Sequence, residues 1–122
     1  MSVHETAWPK ELRVSSDRKM LTVGFSDERS YAIEAELLRV RSPSAEVQGH
    51  SPAQRVTVGG KADVTISKVL PVGNYAVRLA FDDGHDSGIF TWSFLSELGE
   101  TREASWAEYI AELAEKGMSR TR

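Results

Sequence analysis

From Tyr75 to Phe81 the chain alternates in side-chain character, with Tyr75, Val77, Leu79 and Phe81 on one side and Ala76, Arg78 and Ala80 on the other. A period of two fits a half-buried strand and no helix. Asp82-Asp83-Gly84 then supplies the carboxylates and glycine of a tight turn. The run Ser87 to Trp92 follows with Ile89, Phe90 and Trp92, so residues 75–92 are predicted to close as an antiparallel hairpin with His85 and Asp86 at or just past its tip.

The rest of the chain supplies what such a hairpin packs against. Leu12 and Val14, then Leu21, Val23 and Phe25, then Tyr31 and Ile33 mark three short strands separated by the turn residues 15–18 and 26–28. Ala35 to Val40 is dense in helix formers and is stopped by Pro43. Val64, Ile66 and Val69 make another strand, and Pro71-Val-Gly-Asn74 is expected to turn into the hairpin. Phe94 to Gly99 suits a short helical turn ending at glycine. Ser105 and Glu108 stand in capping-box spacing before Trp106, Tyr109, Ile110 and Leu113, an amphipathic helix ending at Gly117 that is expected to pack on its own sheet. The predicted fold class is therefore α+β: mostly antiparallel strands in two three-stranded meanders, a short middle helix and a C-terminal amphipathic helix. The organisation read from the sequence is a flexible leader over 1–7, a domain over 8–99, a helix over 100–117 and a basic tail over 118–122, whose Arg120 and Arg122 are expected to lie in a frayed, solvated end.

Bulk properties exclude several classes. A chain of 122 residues suits one domain. The absence of cysteine removes disulfides, thiolate metal sites and cysteine nucleophiles. A net charge of −3 with both signs interspersed argues against nucleic acid as a partner. No apolar run is long enough for a bilayer and the start is unlike a secretory signal, so no membrane association is expected and a cytoplasmic location is the default expectation.

Two polar clusters stand out. His85 lies among Asp82, Asp83 and Asp86, where carboxylates could help it hold a divalent metal or raise its basicity; the plainer reading is turn geometry. Ser42, Ser44, Glu46 and His50 form the second, beside Arg39 and Arg41, in a connection over 42–61 that has almost no apolar pattern. A connection of that length is a binding candidate, with solvation as the duller account. Other chemistry is missing. There is no Gly-x-Ser-x-Gly elbow, and Gly60-Lys61 is no phosphate loop because Arg55 and Ala62 occupy its defining positions. No His-x-Asp or His-x-Glu pair begins an iron facial triad, and Trp92 and Phe94 are expected in the core.

The blocks Trp8 to Arg13, Leu37 to His50 and Pro71 to Asp86, with Gly88 to Trp92 and Leu95, resemble the gamma-butyrobetaine hydroxylase-like N-terminal domain family over roughly Trp8 to Gly99. The resemblance implies a domain found alone, at the head of gamma-butyrobetaine and trimethyllysine hydroxylases, or fused to P-loop ATPases of the iron–sulfur carrier type. It also implies a zinc module in the hydroxylases, built from a Cys-Pro-Cys-x-x-Cys block and a later histidine. Those positions fall here on Ser42, Pro43, Ser44 and Val47, and on His85, so only the histidine survives. The expected function is a non-catalytic accessory or interaction module, without a cofactor or active site of its own, that works with an unidentified protein partner. Its binding surface is assigned to Arg39, Arg41, Ser42, Ser44, Glu46, His50, Asp83, His85 and Asp86. The rival reading is metal-linked, with residual zinc or iron at His85 in an oxygenase-associated or iron–sulfur assembly accessory factor. A homo-oligomer through the terminal helix stripe stays open.

Overall fold

The structure, a computed structural model, describes residues 8–49 and 55–121. Strands β1 (Pro9–Val14), β2 (Met20–Phe25) and β3 (Ser30–Glu34) form one antiparallel sheet in that order. Helices α1 (Ala35–Val40) and α2 (Ala45–Gln48) follow, then a second antiparallel sheet of β4 (Ile66–Val72), β5 (Ala76–Phe81) and β6 (Gly88–Thr91), and finally α3 (Trp92–Glu100) and α4 (Arg102–Glu115). The fold is α+β with two three-stranded meanders.

Alternation sets the register. Leu21 lies opposite Val14 and Ile33, and Val23 opposite Leu12 and Tyr31, so one face of the first sheet carries its apolar set. In the second sheet Val77 faces Pro71 and Phe90, and Leu79 faces Val69. Both apolar faces enter one core with Leu37, Leu38 and Val40 of α1, Leu95 and Leu98 of α3, and Tyr109 and Leu113 of α4. Ile110 remains on the exposed side of α4. The sheets are also hooked together through Arg18, which sits in the left-handed region at φ 62° in the β1–β2 turn. Its carbonyl accepts from Ile66 N–H at 2.9 Å, and its guanidinium donates to the Ser67 carbonyl at 2.7 Å. Among the described residues no helix is long and apolar enough to cross a membrane.

The structure departs from the sequence expectations where tertiary contacts outweigh local signals. Strand β4 runs through Pro71 to Val72 rather than turning there; β4 is a sheet edge, where a missing N–H costs no ladder bond. Tyr75 therefore falls in the turn and is exposed. Trp92 opens α3 instead of closing β6: Thr91 Oγ1 accepts from Phe94 N–H at 3.1 Å as the N-cap, and the Trp92 indole donates to the Asn74 carbonyl at 2.8 Å. Gly99 does not end α3. It lies within the helix because the Tyr31 ring packs on its α-carbon, leaving no room for a side chain. No Ser105–Glu108 capping box forms; α4 starts at Arg102 behind Thr101, and Glu108 instead reaches Arg41 and Arg55. The 42–61 connection contains α2, and its Arg55 and Thr57 are tied to Glu112 of α4.

Gly99→Ala is expected to lower the urea midpoint. The Tyr31 hydroxyl donates to Glu100 at 3.1 Å, which fixes the ring that the new methyl would overlap. Overpacking costs ~1–3 kcal/mol against a propensity gain of at most ~1 kcal/mol. An unchanged or raised midpoint would show that Tyr31 yields.

Candidate functional site

Two turns meet at His85. One is the α1–α2 connection, which carries Ser42 and Ser44; the other is the β5–β6 turn, where Gly84 at φ 90° lets Phe81 N–H reach the His85 carbonyl at 2.9 Å. His85 is 7% exposed and Ser42 is fully buried. The Ser42 hydroxyl lies 3.0 Å from His85 Nε2 and the Ser44 hydroxyl 3.4 Å from the same nitrogen. On the other side of the ring Nδ1 is 3.2 Å from a Glu46 carboxylate oxygen. A carboxylate only accepts, so Nδ1–H donates to Glu46 and Nε2 accepts a hydrogen bond from the Ser42 hydroxyl. Ser44, at the N-cap of α2, makes no capping bond because its hydroxyl is turned to His85. Gly88 of β6 completes the packing: a β-carbon there would collide with Ser42 Oγ.

Beside the imidazole lies a buried ion cluster. Asp83, with its side chain 7% exposed, accepts from Arg39 Nε at 2.7 Å and Lys61 Nζ at 2.6 Å, and from the His85 amide at 3.0 Å. Burial opposes ionisation, yet the lysine, amide and arginine donors win and hold the Asp83 carboxyl down at about 2. The imidazole is pushed below its ordinary value, chiefly by burial and then by Arg39, with Glu46 and Asp83 pulling the other way.

The expected site residues therefore divide. Arg39, Ser42, Ser44, Glu46, Asp83 and His85 converge. Arg41 does not join them: it is buried against α4, with Nη2 at 2.9 Å from Glu112 and 3.1 Å from Glu108. Asp86 is exposed, beyond the network. His50 lies outside the described residues. Sequence reading passed over Lys61, Ser87 and Gly88. Ser87 donates to Glu46 at 3.2 Å; the lysine in a Gly-Gly-Lys turn and the glycine opening a strand carried no signal of a partner so distant in sequence.

A serine, an imidazole and a carboxylate in this order have the outline of an acyl-transfer triad. The outline lacks access. The Ser42 side chain is buried under β6, a second hydroxyl shares its nitrogen, and the described cavities are lined by other residues. Nor does the donor set fit zinc. Val47 is buried without a donor atom, the serines are hydroxyls, and Nε2 is already engaged by them. Among the described residues no group of three or more His, Asp and Glu side chains could hold a metal ion.

Residues 12–96 match the family described as gamma-butyrobetaine hydroxylase-like, N-terminal. One protein of known solution structure is 48% identical with a TM-score of 0.80, covering 93% of this chain and 89% of that one. A second solution structure is 38% identical with a TM-score of 0.83, covering 98% and 89%. A crystal structure from Acidithiobacillus ferrooxidans, of a DUF971-family protein of unknown function, is 36% identical with a TM-score of 0.61, covering 75% and 91%. No curated protein matches.

Two acid responses are expected. A lowered imidazole pKa means that the folded chain binds that proton less readily than the unfolded chain, so stability is full above pH ~6.5 and declines as pH falls below it. The melting temperature of His85→Gln should then fall less steeply than that of the parent between pH 7 and about pH 5. Parallel slopes would remove His85 as the cause. Asp83 adds a second loss, between its model-peptide value of 3.8 and about 2. At neutral pH Asp83→Asn should destabilise by on the order of 3 kcal/mol, because Arg39 and Lys61 lose their shared carboxylate.

Proposed function

This chain belongs to the gamma-butyrobetaine hydroxylase-like N-terminal domain family, and from that premise we propose that it is a non-catalytic accessory module that binds a protein partner. The working surface is the rim formed by 44–49 and 82–87. The observation that carries this reading is the closure of the His85 network: both ring nitrogens are engaged and Ser42 is buried. What this region offers outward is carboxylate, from Asp82, Glu46 and Asp86, over a rigid base. An exposed carboxylate rim on a locked scaffold recognises donors, meaning basic side chains or backbone N–H groups of a partner. The Asp83 cluster contributes from beneath, since it fixes the turn that presents Asp82 and Asp86.

A photo-crosslinking residue at position 86 should trap a partner in the native host, with none trapped from position 115 on exposed α4. Crosslinks of equal yield from both positions would remove the rim as the contact. In parallel, zinc and iron(II) titrations followed by amide NMR should leave His85 unmoved at micromolar metal, and a fluorophosphonate should leave Ser42 unlabelled. A saturable metal response lost in His85→Ala would move the assignment to a metal-linked accessory role. Labelling lost in Ser42→Ala would make the chain an enzyme.

A further inference from the structure

Residues 118–121 of the C-terminal tail, expected from sequence to fray, are clamped, and Arg122 lies outside the described residues. Met118 N–H donates to the Leu113 carbonyl at 2.8 Å, and Gly117 at φ 64° turns the chain off the end of α4. The tail then lies beside 59–62 in irregular backbone: Gly60 N–H donates to the Ser119 carbonyl at 2.9 Å and Ala62 N–H to the Arg120 carbonyl at 3.0 Å. Gly59 has to lack a side chain, because a β-carbon there would lie 2.9 Å from the Ser119 carbonyl oxygen. The Arg120 side chain reaches back to the folded body. Its Nε and Nη2 fork onto the two Glu36 oxygens at 2.9 and 2.7 Å, and its guanidinium lies 5.1 Å from the Trp106 ring centre.

The two halves of that ion pair are unequally placed. The Glu36 side chain is 5% exposed and takes a further bond from the Tyr109 hydroxyl at 2.7 Å, whereas Arg120 is 44% exposed. The carboxylate and aromatic wall belong to the folded body, and the arginine is laid over them from outside. A buried carboxylate deprived of its cation carries a large desolvation cost, so the slot keeps its demand for a guanidinium when the tail leaves. Next to it lies a cavity of about 500 Å³ lined by 60–64, Asp82, Asp83, Arg120 and Thr121. Asp83 there is already paired with Arg39 and Lys61, and Asp63 lies 3.7 Å from Lys19, so the carboxylate that loses its cation when Arg120 is withdrawn is Glu36.

We infer that the groove between 59–62, Glu36 and Trp106 is a recognition site for an arginine-bearing peptide segment of a partner protein that bends at the arginine as the tail does, a site that the chain's own tail occupies in cis. The tail defines the ligand chemistry: two backbone carbonyls spaced to accept from Gly60 and Ala62, and a guanidinium between them and the Glu36–Trp106 slot. It also acts as a built-in competitor, because a tethered ligand works at millimolar effective concentration and a partner must exceed that to displace it. The cavity shares Asp82 and Asp83 with the His85 rim, but Gly60, Ala62, Glu36 and Trp106 lie outside that rim, so shifts at those four positions report on this site alone.

The test uses the full chain and one probe, the blocked peptide Met-Ser-Arg-Thr-Arg, followed by amide and indole NMR. Added to Arg120→Ala, the peptide should give saturable shifts at Gly60, Ala62 and the Trp106 indole, with affinity at least about tenfold tighter than for the parent chain, whose tail competes. A peptide with lysine in place of its first arginine should bind at least about tenfold more weakly, since an ammonium cannot make the forked contact. On the parent chain, millimolar peptide should move the Ser119 and Arg120 amides toward unfolded positions, a readout that needs no substituted protein to fold. Tail signals that stay fixed at saturating peptide, or equal binding of the arginine and lysine peptides, would overturn the inference and leave the tail as an internal brace. Dimerisation through exchanged tails, seen as a doubling of mass that the peptide does not reverse, would overturn it in favour of a second copy as the occupant.

Discussion

Helix α1 is six residues long and five of them are buried, on every side of the helix. A helix with no solvent face has to satisfy its charged residues inside the protein, and that constraint arranges much of what surrounds it. Glu36 takes Arg120 from the tail and the Tyr109 hydroxyl from α4. Arg39 takes Asp83 from the β5–β6 turn. Arg41, just past the helix, takes Glu108 and Glu112 from α4, while Glu34 just before it pairs with Arg102. Four charges within eight residues thus tie one short helix and its flanks to the second sheet, the terminal helix and the tail. The pairing is incomplete in one place: Arg39 Nη1 is buried without a hydrogen-bond partner among the described residues.

The His85 network is the neutral counterpart of these ion pairs. Gly88 packs against Ser42 and the Phe81 ring lies beside the imidazole at 6.2 Å, while Glu46 closes the network from the exposed side. Two hydroxyls lie on one ring nitrogen and a carboxylate on the other, so both nitrogens have hydrogen-bond partners within the protein. Ser42, Ser44 and Val47 bring two hydroxyls and an apolar side chain to this corner.

Strand periodicity was the most legible part of the fold, because residues such as Leu21, Val23, Val77 and Leu79 report their own burial through alternation. The same alternation located the turn carrying His85, whereas Ser42 and Ser44 stood out as a polar cluster in the 42–61 connection and through the family resemblance. It failed where a distant side chain decides the outcome. Nothing near Gly99 announces Tyr31, nothing near Arg120 announces Glu36, and the Ser105–Glu108 spacing satisfies a local capping rule that Arg41 and Arg55 outbid. Arg41 illustrates the limit for function. Adjacent in sequence to Ser42, it points to a different element altogether, because one residue step at a helix end redirects a side chain by roughly a quarter turn or more.

The hook at Arg18 bears on how this chain finds its structure. Each sheet joins strands adjacent in sequence, so its internal pairings close short loops early and cheaply. The β1–β2 turn, with one residue held in a left-handed conformation, bonds the first residues of β4 some fifty positions away. The entropic cost of joining the two halves therefore falls on long-range contacts such as this one. Contacts already formed when the halves meet set how fast the chain folds, whereas contacts completed only after that point set how long the assembled protein lasts.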